Sequence, residues 1–283
     1  MGIRILTDSA SDISQETAEK WGIKVIPLKV RFGEEEYLDG KTLKPKQFYE
    51  KLVETDEIPK TSQITPFEYE QEFKAAREAG DQLICFCMSS GVSGCYQSAC
   101  MAAMDYEDCV TVIDTQQFCI SEYIIVARTV DLRDEGKSAQ EIVSVIREEL
   151  KESHVIAVFN TLEYLRLGGR LSAAAAITGN LLAIKPVLTI EDGIVKILGK
   201  ARGSKKSGNM LSEMIAKVGG IDFERPVCVG YTGTDDHLLQ KYLHDSAYLY
   251  EGHEDCIQTA EVGSTIGTYA GPGAIAVAFF AKK

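Results

Sequence analysis

Short apolar segments alternate with segments of helical spacing along the first half of the chain. The apolar segments have the length of buried strands, and the segments between them have the periodicity of amphipathic helices. This alternation is typical of βαβ units and predicts a parallel sheet with helices on its faces. The predicted strands cover residues 3–6, 25–30, 83–87, 110–113 and 155–159, and the predicted helices cover residues 13–21, 67–79, 96–104, 121–133 and 139–150.

The second half has a different pattern, which begins with a hairpin. Apolar residues 186–190 and 194–198 flank Asp192-Gly193, a dipeptide that favours the tight turn of a β-hairpin. Mixed strand pairing with helices over one face is expected for the rest of this half. The remaining predicted elements are a helix at residues 205–218, a strand at 227–231, a helix that ends near residue 249 and a last strand at 274–280.

These patterns together predict an α/β fold of two domains. The N-terminal domain, residues 1–160, is expected to be a three-layer α/β/α structure with a mainly parallel sheet. The C-terminal domain, residues 161–283, is expected to be an α+β structure with a mixed sheet. A chain of 283 residues is long for a single hydrophobic core, which agrees with this division.

The net charge of −12, from 42 acidic and 30 basic residues, argues against nucleic acid or an anionic membrane as a standing partner. No apolar run reaches the roughly 18 residues of a membrane span, and the first residues lack the pattern of a secretory signal. Eight cysteines without a Cys-x-x-Cys pair indicate reduced thiols, so we expect a cytoplasmic protein. Neither these cysteines nor the four scattered histidines predict a metal site.

Small hydroxyl residues lie at the carboxyl ends of the predicted strands, where parallel sheets bind their ligands. The stretch from Ser89 to Gly94 places serines and glycines between a strand and a helix. Backbone N–H groups and the helix dipole in such a stretch suit an anionic head group. The alternative is an ordinary helix start capped by serine.

Three other segments carry candidate chemistry. Thr61 and Ser62 are hydroxyl residues in a predicted loop before the helix at 67–79. Two glycines precede Arg170, whose guanidinium fork could meet an anion; the alternative is a solvated arginine after a helix C-cap. Residues 267–273 are rich in glycine and predict a rigid loop that leads into the last strand.

Taken together and in this order, these segments resemble the DegV family of bacterial fatty-acid-binding proteins. No single segment is specific, but the matches extend along the whole chain. They are residues 7–12, 61–63, 89–94, 96–99, 161–165, 168–170, 184–186, 201–203, 267–268 and 271–273.

The resemblance implies that one long-chain fatty acid lies in a tunnel between the two domains. It also implies that the carboxylate is held by Thr61, by Ser93 and by a histidine of the loop before the last strand, with support from Arg170. The neighbouring hydroxyls of Ser62 and Ser90 are secondary candidates.

The resemblance further implies a partner. In the family, a separate fatty acid kinase phosphorylates the bound acid to an acyl phosphate, which goes to phospholipid synthesis. Arg202 matches an arginine implicated in working with that kinase. The protein itself is then expected to be a carrier subunit without catalysis or cofactor of its own.

One position departs from the family pattern. Tyr269 stands where the family usually has histidine before glycine-proline-glycine. Tyrosine donates one hydrogen bond but carries no positive charge at neutral pH. We therefore place Tyr269 in the head-group site with Thr61, Ser93 and Arg170, and expect it to change how the carboxylate is neutralised.

The acyl tail would be held by burial, which contributes about 0.8 kcal/mol per methylene. Plain core is the alternative role for every apolar residue near the matched segments. The candidates for the tunnel wall are Leu165, Leu171, Leu181, Leu182, Ile184 and Phe279.

Two other functions compete with a carrier. The first is a hydrolase that uses Ser93 or Cys95 on an acyl ester. Residues 91–95 resemble a Gly-x-Ser-x-Gly nucleophile elbow, but Cys95 replaces the last glycine and no histidine follows in a context that suits a base. The second is a regulatory or scaffold module without a ligand, which the clustered hydroxyl residues argue against.

Overall fold

The computed structural model describes residues 2–55, 57–171 and 184–282. Within these ranges the strands are β1 (Ile3–Asp8), β2 (Lys24–Ile26), β3 (Lys29–Phe32), β4 (Glu35–Leu38), β5 (Lys60–Ser62), β6 (Gln82–Cys87), β7 (Val110–Asp114), β8 (Ser153–Val158), β9 (Ile184–Glu191), β10 (Ile194–Arg202), β11 (Val227–Tyr231), β12 (Ile257–Glu261) and β13 (Ile275–Phe280). The helices there are α1 (Gln15–Trp21), α2 (Pro45–Glu54), α3 (Pro66–Ala79), α4 (Cys95–Ala103), α5 (Ile120–Asp134), α6 (Ala139–Glu149), α7 (Glu163–Leu167), α8 (Ser204–Lys217), α9 (His237–Asp245) and α10 (Ser264–Ala270).

The strands form three sheets in the described ranges. The first is parallel, in the order β2-β1-β6-β7, and the second is mixed, in the order β10-β9-β8-β13-β11-β12. A small antiparallel sheet has the order β4-β3-β5. The predicted fold class, α/β with a parallel N-terminal sheet and a mixed C-terminal sheet, is confirmed. The domain bounds at residue 160 stay a prediction, and β8 pairs with β9 and β13 in the mixed sheet although it precedes that residue.

The strand predicted at residues 25–30 is wrong as a single element. Its first part is β2 in the parallel sheet, and its last residues belong to β3 in the antiparallel sheet. Pro27 lies between the two strands. Proline has no N–H to donate to a strand ladder, so the chain changes sheet at this residue.

Helix α5 joins the two large sheets. It contacts β1 of the parallel sheet and β8, β11 and β13 of the mixed sheet. One hydrophobic cluster accordingly contains Ile5 and Ile84 from the parallel sheet, Ile124 from α5, and Ala276 and Phe280 from β13. Because both sheets bury apolar side chains against the same helix, their relative position is set by a common core.

The predicted hairpin is confirmed as β9 and β10. Asp192 and Gly193 have φ values of 53° and 75°, as a two-residue hairpin turn of the favoured twist requires. The turn packs on the loop after β6, where Ser89 Oγ donates a hydrogen bond to the Gly193 carbonyl at 2.7 Å. A Cβ added at Gly91 would lie 2.8 Å from the same carbonyl oxygen, so the contact requires glycine there.

Asp39, in the loop between β4 and α2, is buried and holds the start of α10. Its carboxylate accepts hydrogen bonds from Ser264 N at 2.8 Å, Ser264 Oγ at 2.6 Å and Thr265 N at 3.2 Å. It also accepts one from Ser9 Oγ at 2.9 Å. The first N–H groups of a helix have no partner within the helix, and here a carboxylate 225 residues away in the chain supplies it.

Replacement of Asp39 by alanine should lower the free energy of unfolding by about 3 kcal/mol, because several buried donors lose their acceptor at once. Urea unfolding followed by circular dichroism measures this change. Asp134→Ala, at a carboxylate whose side chain is 64% exposed, is the matched control and should leave the urea midpoint unchanged. Equal midpoints for the two variants would contradict the anchoring role of Asp39.

Two further carboxyl groups are buried, that of Asp8 at the end of β1 and that of Glu122 on α5. Burial raises the pKa of Asp8 to about 6, against hydrogen bonds from Met88 N and Ala10 N that lower it. Burial also raises the pKa of Glu122 well above its usual value. Thr7 Oγ1 donates to Glu122 Oε1 at 2.8 Å, and Glu122 Oε2 has no partner among the described residues. The folded state therefore binds protons that the unfolded chain releases at lower pH.

Folding stability should accordingly fall as the pH rises from about 4 through 6 and beyond, since the folded state binds more protons than the unfolded state over this range. Glu122→Gln keeps an oxygen for Thr7 and removes the cost of ionising the carboxyl. We expect this variant to have a higher urea midpoint at pH 7.5 and a weaker dependence of the midpoint on pH. Glu148→Gln, at an exposed position, is the control; a lower midpoint for Glu122→Gln at pH 7.5 would contradict a neutral carboxyl at residue 122.

Candidate functional site

Two adjoining cavities lie where α10, the loop after β6 and the mixed sheet meet. We call the first the polar chamber; its volume is about 190 Å³. Its wall combines hydroxyl, amide and guanidinium groups with apolar side chains. The polar side chains of this wall are Thr61, Gln63, Ser93, Arg170, Thr265 and Tyr269.

The second cavity, the apolar chamber, has a volume of about 60 Å³. It lies over the mixed sheet, and many of its wall residues have small side chains. The chambers adjoin because they share Phe118, Phe159, Val195, Ile266 and Ala270. Other wall residues of the apolar chamber are Val155, Ala157, Leu188, Ile190, Gly230 and Ala276.

Thr61 and Tyr269 form a linked pair of hydroxyl groups in the polar chamber. Thr61 lies on β5, opposite Val30 of β3. Because side chains alternate along a strand, Thr61 lines the chamber while Ser62 is exposed. Thr61 Oγ1 and Tyr269 Oη are 2.6 Å apart, so one of the two donates to the other. The remaining hydroxyl hydrogen is left for a further acceptor.

Tyr269 lies on helix α10 and not in the loop predicted at residues 267–273. The helix continues to Ala270, and Gly271 ends it with a φ of 66°. The serine, threonine and glycine residues of this segment favour a loop locally. The helix forms because Asp39 supplies acceptors for its first N–H groups, and that acceptor lies far away in the sequence.

Ser93 lies in the loop between β6 and α4. Its Oγ accepts a hydrogen bond from Cys95 N at 3.3 Å and lies 3.2 Å from Cys95 Sγ. Burial raises the pKa of Cys95 to about 12, so this thiol stays protonated at neutral pH. Gly94 permits a close approach of Gln63, because a Cβ at residue 94 would overlap Gln63 Oε1. Gln63 in turn donates to Ser98 Oγ at 2.9 Å.

Arg170 lines the polar chamber from an exposed position. Its guanidinium carbon lies 5.0 Å from the centre of the Tyr269 ring, within the range of a cation–π contact. It donates to the carbonyl oxygens of Gly168 at 2.9 Å and Val92 at 3.4 Å. Among the described wall residues Arg170 is the one charged side chain, so the local field in this acidic protein favours an anion.

The secondary candidates lie outside both chambers. Ser90 Oγ donates to Asp114, and the Ser90 N–H donates to the same carboxylate at 3.2 Å. Ser62 is exposed on β5, and Arg202 is exposed at the end of β10. These three residues do not line the described walls.

The candidates for the tunnel wall have different positions. Leu165 lines the polar chamber. Phe279 is fully buried in the core on the other face of the mixed sheet, because it shares the face of Ile275 and Val277 on β13. Leu171 and Ile184 line neither chamber in the described part of the chain. Leu181 and Leu182 lie outside the described residues.

Several wall residues were not found from the sequence. Gln63 and Thr265 are polar residues of the wall that the sequence analysis did not assign to the site. In the wall of the apolar chamber, Gly230 admits Ile120 close to the mixed sheet, because a Cβ there would lie 2.9 Å from Ile120. A glycine inside a strand is a signal of close approach, but it does not show which element approaches.

The described residues contain no group of three or more histidine, cysteine, aspartate or glutamate side chains that could hold a metal ion. In the same part of the chain, no helix combines the length and the hydrophobicity that crossing a membrane requires.

Known proteins resemble this chain over nearly its whole length. A sequence model of the DegV family matches residues 2–282. A DegV domain-containing protein of Caldanaerobacter subterraneus subsp. tengcongensis is 36% identical over 283 residues, which cover 99% of each chain.

Solved structures give the same result. A DegV family protein of Thermus thermophilus, described as fatty acid binding, has a TM-score of 0.88 and 30% identity over 99% of this chain and 100% of that one. A stearic acid-binding protein of Eubacterium ventriosum has a TM-score of 0.84 and 27% identity over 97% of this chain and 96% of that one. The chain therefore belongs to the DegV family.

Proposed function

We propose that the protein binds one long-chain fatty acid, with the carboxylate in the polar chamber and the acyl tail in the apolar chamber. The observation that carries this proposal is the convergence of Thr61, Ser93, Arg170 and Tyr269, from four separate segments, on one cavity that adjoins an apolar one. The fatty acids named for the Thermus and Eubacterium relatives support the same ligand class.

The polar chamber meets the requirements of a carboxylate. A buried carboxylate must be paired with charge or accept hydrogen bonds, because an unpaired ion is costly to bury. The Thr61–Tyr269 pair has one free hydroxyl hydrogen, and Ser93 can turn its hydroxyl from the weak acceptor Cys95 Sγ to a carboxylate oxygen. Arg170 supplies the positive charge, which Tyr269 does not.

The lining of the apolar chamber has the chemical character that the tail requires. Its walls are formed by aliphatic and aromatic side chains of the mixed sheet and α10. Each buried methylene contributes about 0.8 kcal/mol, so the tail supplies most of the affinity. The carboxylate contacts select the acid over uncharged lipids of the same length.

The geometry argues against a hydrolase. The Cys95 thiol is buried and protonated, so it is not a nucleophile. His154 packs on Phe279 in the core of the mixed sheet, and His237, His244 and His253 are exposed. The described wall of the polar chamber therefore offers Ser93 no histidine as a base.

We further propose that a separate fatty acid kinase acts on the bound carboxylate, and that this protein is the carrier subunit. The resemblance of Arg202 to an arginine of kinase-dependent members supports this partner, as does its exposure at the end of β10.

All eight cysteines are free thiols, which supports a reducing cytoplasm as the location.

Organic extraction of the purified protein, followed by mass spectrometry, tests the ligand. We expect about one long-chain free fatty acid per chain. Delipidated protein that takes up no fatty acid would contradict the proposal, and hydrolysis of a model acyl ester would support the hydrolase.

Ser93→Ala should weaken fatty acid binding about tenfold, because the charged acceptor loses one donor. Displacement of a fluorescent fatty acid measures the dissociation constant. Ser62→Ala removes an exposed hydroxyl from the neighbouring strand and should leave that constant unchanged. Equal affinities of the two variants would argue against a carboxylate contact at Ser93.

A further inference from the structure

Thr265 has a hydroxyl group that the folded chain leaves without a partner. The residue is 1% exposed, and its Oγ1 has no hydrogen bond within the described residues. Buried hydroxyl groups are almost always hydrogen-bonded, so an unpartnered one requires an explanation. Among the described residues, Asp12 Oδ2 and Glu122 Oε2 also lack a hydrogen-bond partner, but these two residues do not line the polar chamber. Thr265 does line it.

Different residues of α10 line the two chambers. Thr265 and Tyr269 are four residues apart and therefore lie on the same side of the helix. Both line the polar chamber and not the apolar one, whereas Ile266 and Ala270, each one residue further along, line both. Thr265 consequently lies on the polar side of the two adjoining chambers, together with the hydroxyl of Tyr269.

The backbone of Thr265 is fixed before any ligand binds. Its N–H donates to Asp39 Oδ2 at 3.2 Å, and the preceding Ser264 makes two hydrogen bonds to the same carboxylate. A β-branched side chain has few rotamers in a helix. The hydroxyl is therefore held at the chamber wall with its hydrogen unused.

The carboxylate of the ligand has acceptor capacity to spare. An ionised carboxylate offers about four acceptor positions. The Thr61–Tyr269 pair has one free hydrogen between its two hydroxyls, and Ser93 has one. These donors and Arg170 leave room for another hydroxyl on the side of α10.

We infer that Thr265 is a further ligand-binding residue, whose hydroxyl donates a hydrogen bond to the carboxylate of the fatty acid. This inference rests on the proposed function, since it concerns the same site. It assigns a head-group contact to the start of α10, so that Asp39 positions two ligand-binding side chains, Thr265 and Tyr269, through one helix.

The test compares Thr265→Val with Thr268→Val. Valine has the shape of threonine without the hydroxyl, so Thr265→Val removes the unpartnered group and should be at least as heat-stable as the wild type. Thr268 lies on the same helix, and its Oγ1 donates to the Ser264 carbonyl at 2.8 Å without lining the polar chamber. It controls for effects of the helix itself.

Affinities for palmitate and for hexadecanol, which lacks the carboxylate, are measured by displacement of a fluorescent fatty acid. Thr265→Val should weaken palmitate binding about tenfold and leave hexadecanol binding unchanged. Thr265→Ser should restore palmitate binding to within about threefold of the wild type, since it returns the donor. Thr268→Val should bind both ligands as the wild type does, and Thr265→Ala gives a second measurement of the lost hydroxyl.

Three results would overturn the inference while the fatty acid carrier stands: wild-type palmitate affinity in Thr265→Val, equal weakening in Thr268→Val, or equal weakening for palmitate and hexadecanol in Thr265→Val. The last result would indicate a contact with the acyl chain. Wild-type protein that binds no fatty acid would overturn the carrier and this inference together.

Discussion

The candidate site depends on the hydrogen bonds between the carboxylate of Asp39 and the start of α10. The carboxylate is buried, it accepts hydrogen bonds from Ser264, Thr265 and Ser9, and it takes the place of the missing helical partners at the start of α10. Without such an acceptor, a seven-residue helix rich in serine, threonine and glycine has little intrinsic stability. The side chains that α10 presents to the polar chamber are therefore positioned by a residue of the opposite end of the chain.

The apolar chamber lies beside α10, on the face of the mixed sheet that also packs against α5. Large apolar residues such as Phe280 and Ile124 fill the common core. Alanines line the apolar chamber over the mixed sheet beside α10. One face of the mixed sheet thus carries a close-packed core against α5 and, beside α10, an apolar cavity. Polar side chains gather at one end of that cavity, where β5 and the loop after β6 meet α10.

Elements that depend on local signals were predicted well from the sequence. The hairpin at Asp192-Gly193 and the strand predicted at residues 83–87 were recognised from neighbouring residues, and they correspond to β9–β10 and β6. The three-residue strand β5 and helix α10 were not predicted, because each depends on a partner far along the chain: β3 pairs with β5, and Asp39 caps α10. Likewise, the unpartnered hydroxyl of Thr265 could not be predicted from the sequence, because the lack of a partner depends on which groups the fold places beside it.

The docking of the hairpin turn on the loop after β6 has a consequence for how this fold can vary. Hairpin turns are ordinarily free to lengthen, since their tips meet only water. Here the Gly193 carbonyl accepts a hydrogen bond from Ser89, and Gly91 must remain without a side chain to admit it. An insertion at the turn would push on the backbone four residues before Ser93. Homologous chains that keep this contact are thus expected to conserve the length of the turn, even though residues 191–194 line neither chamber.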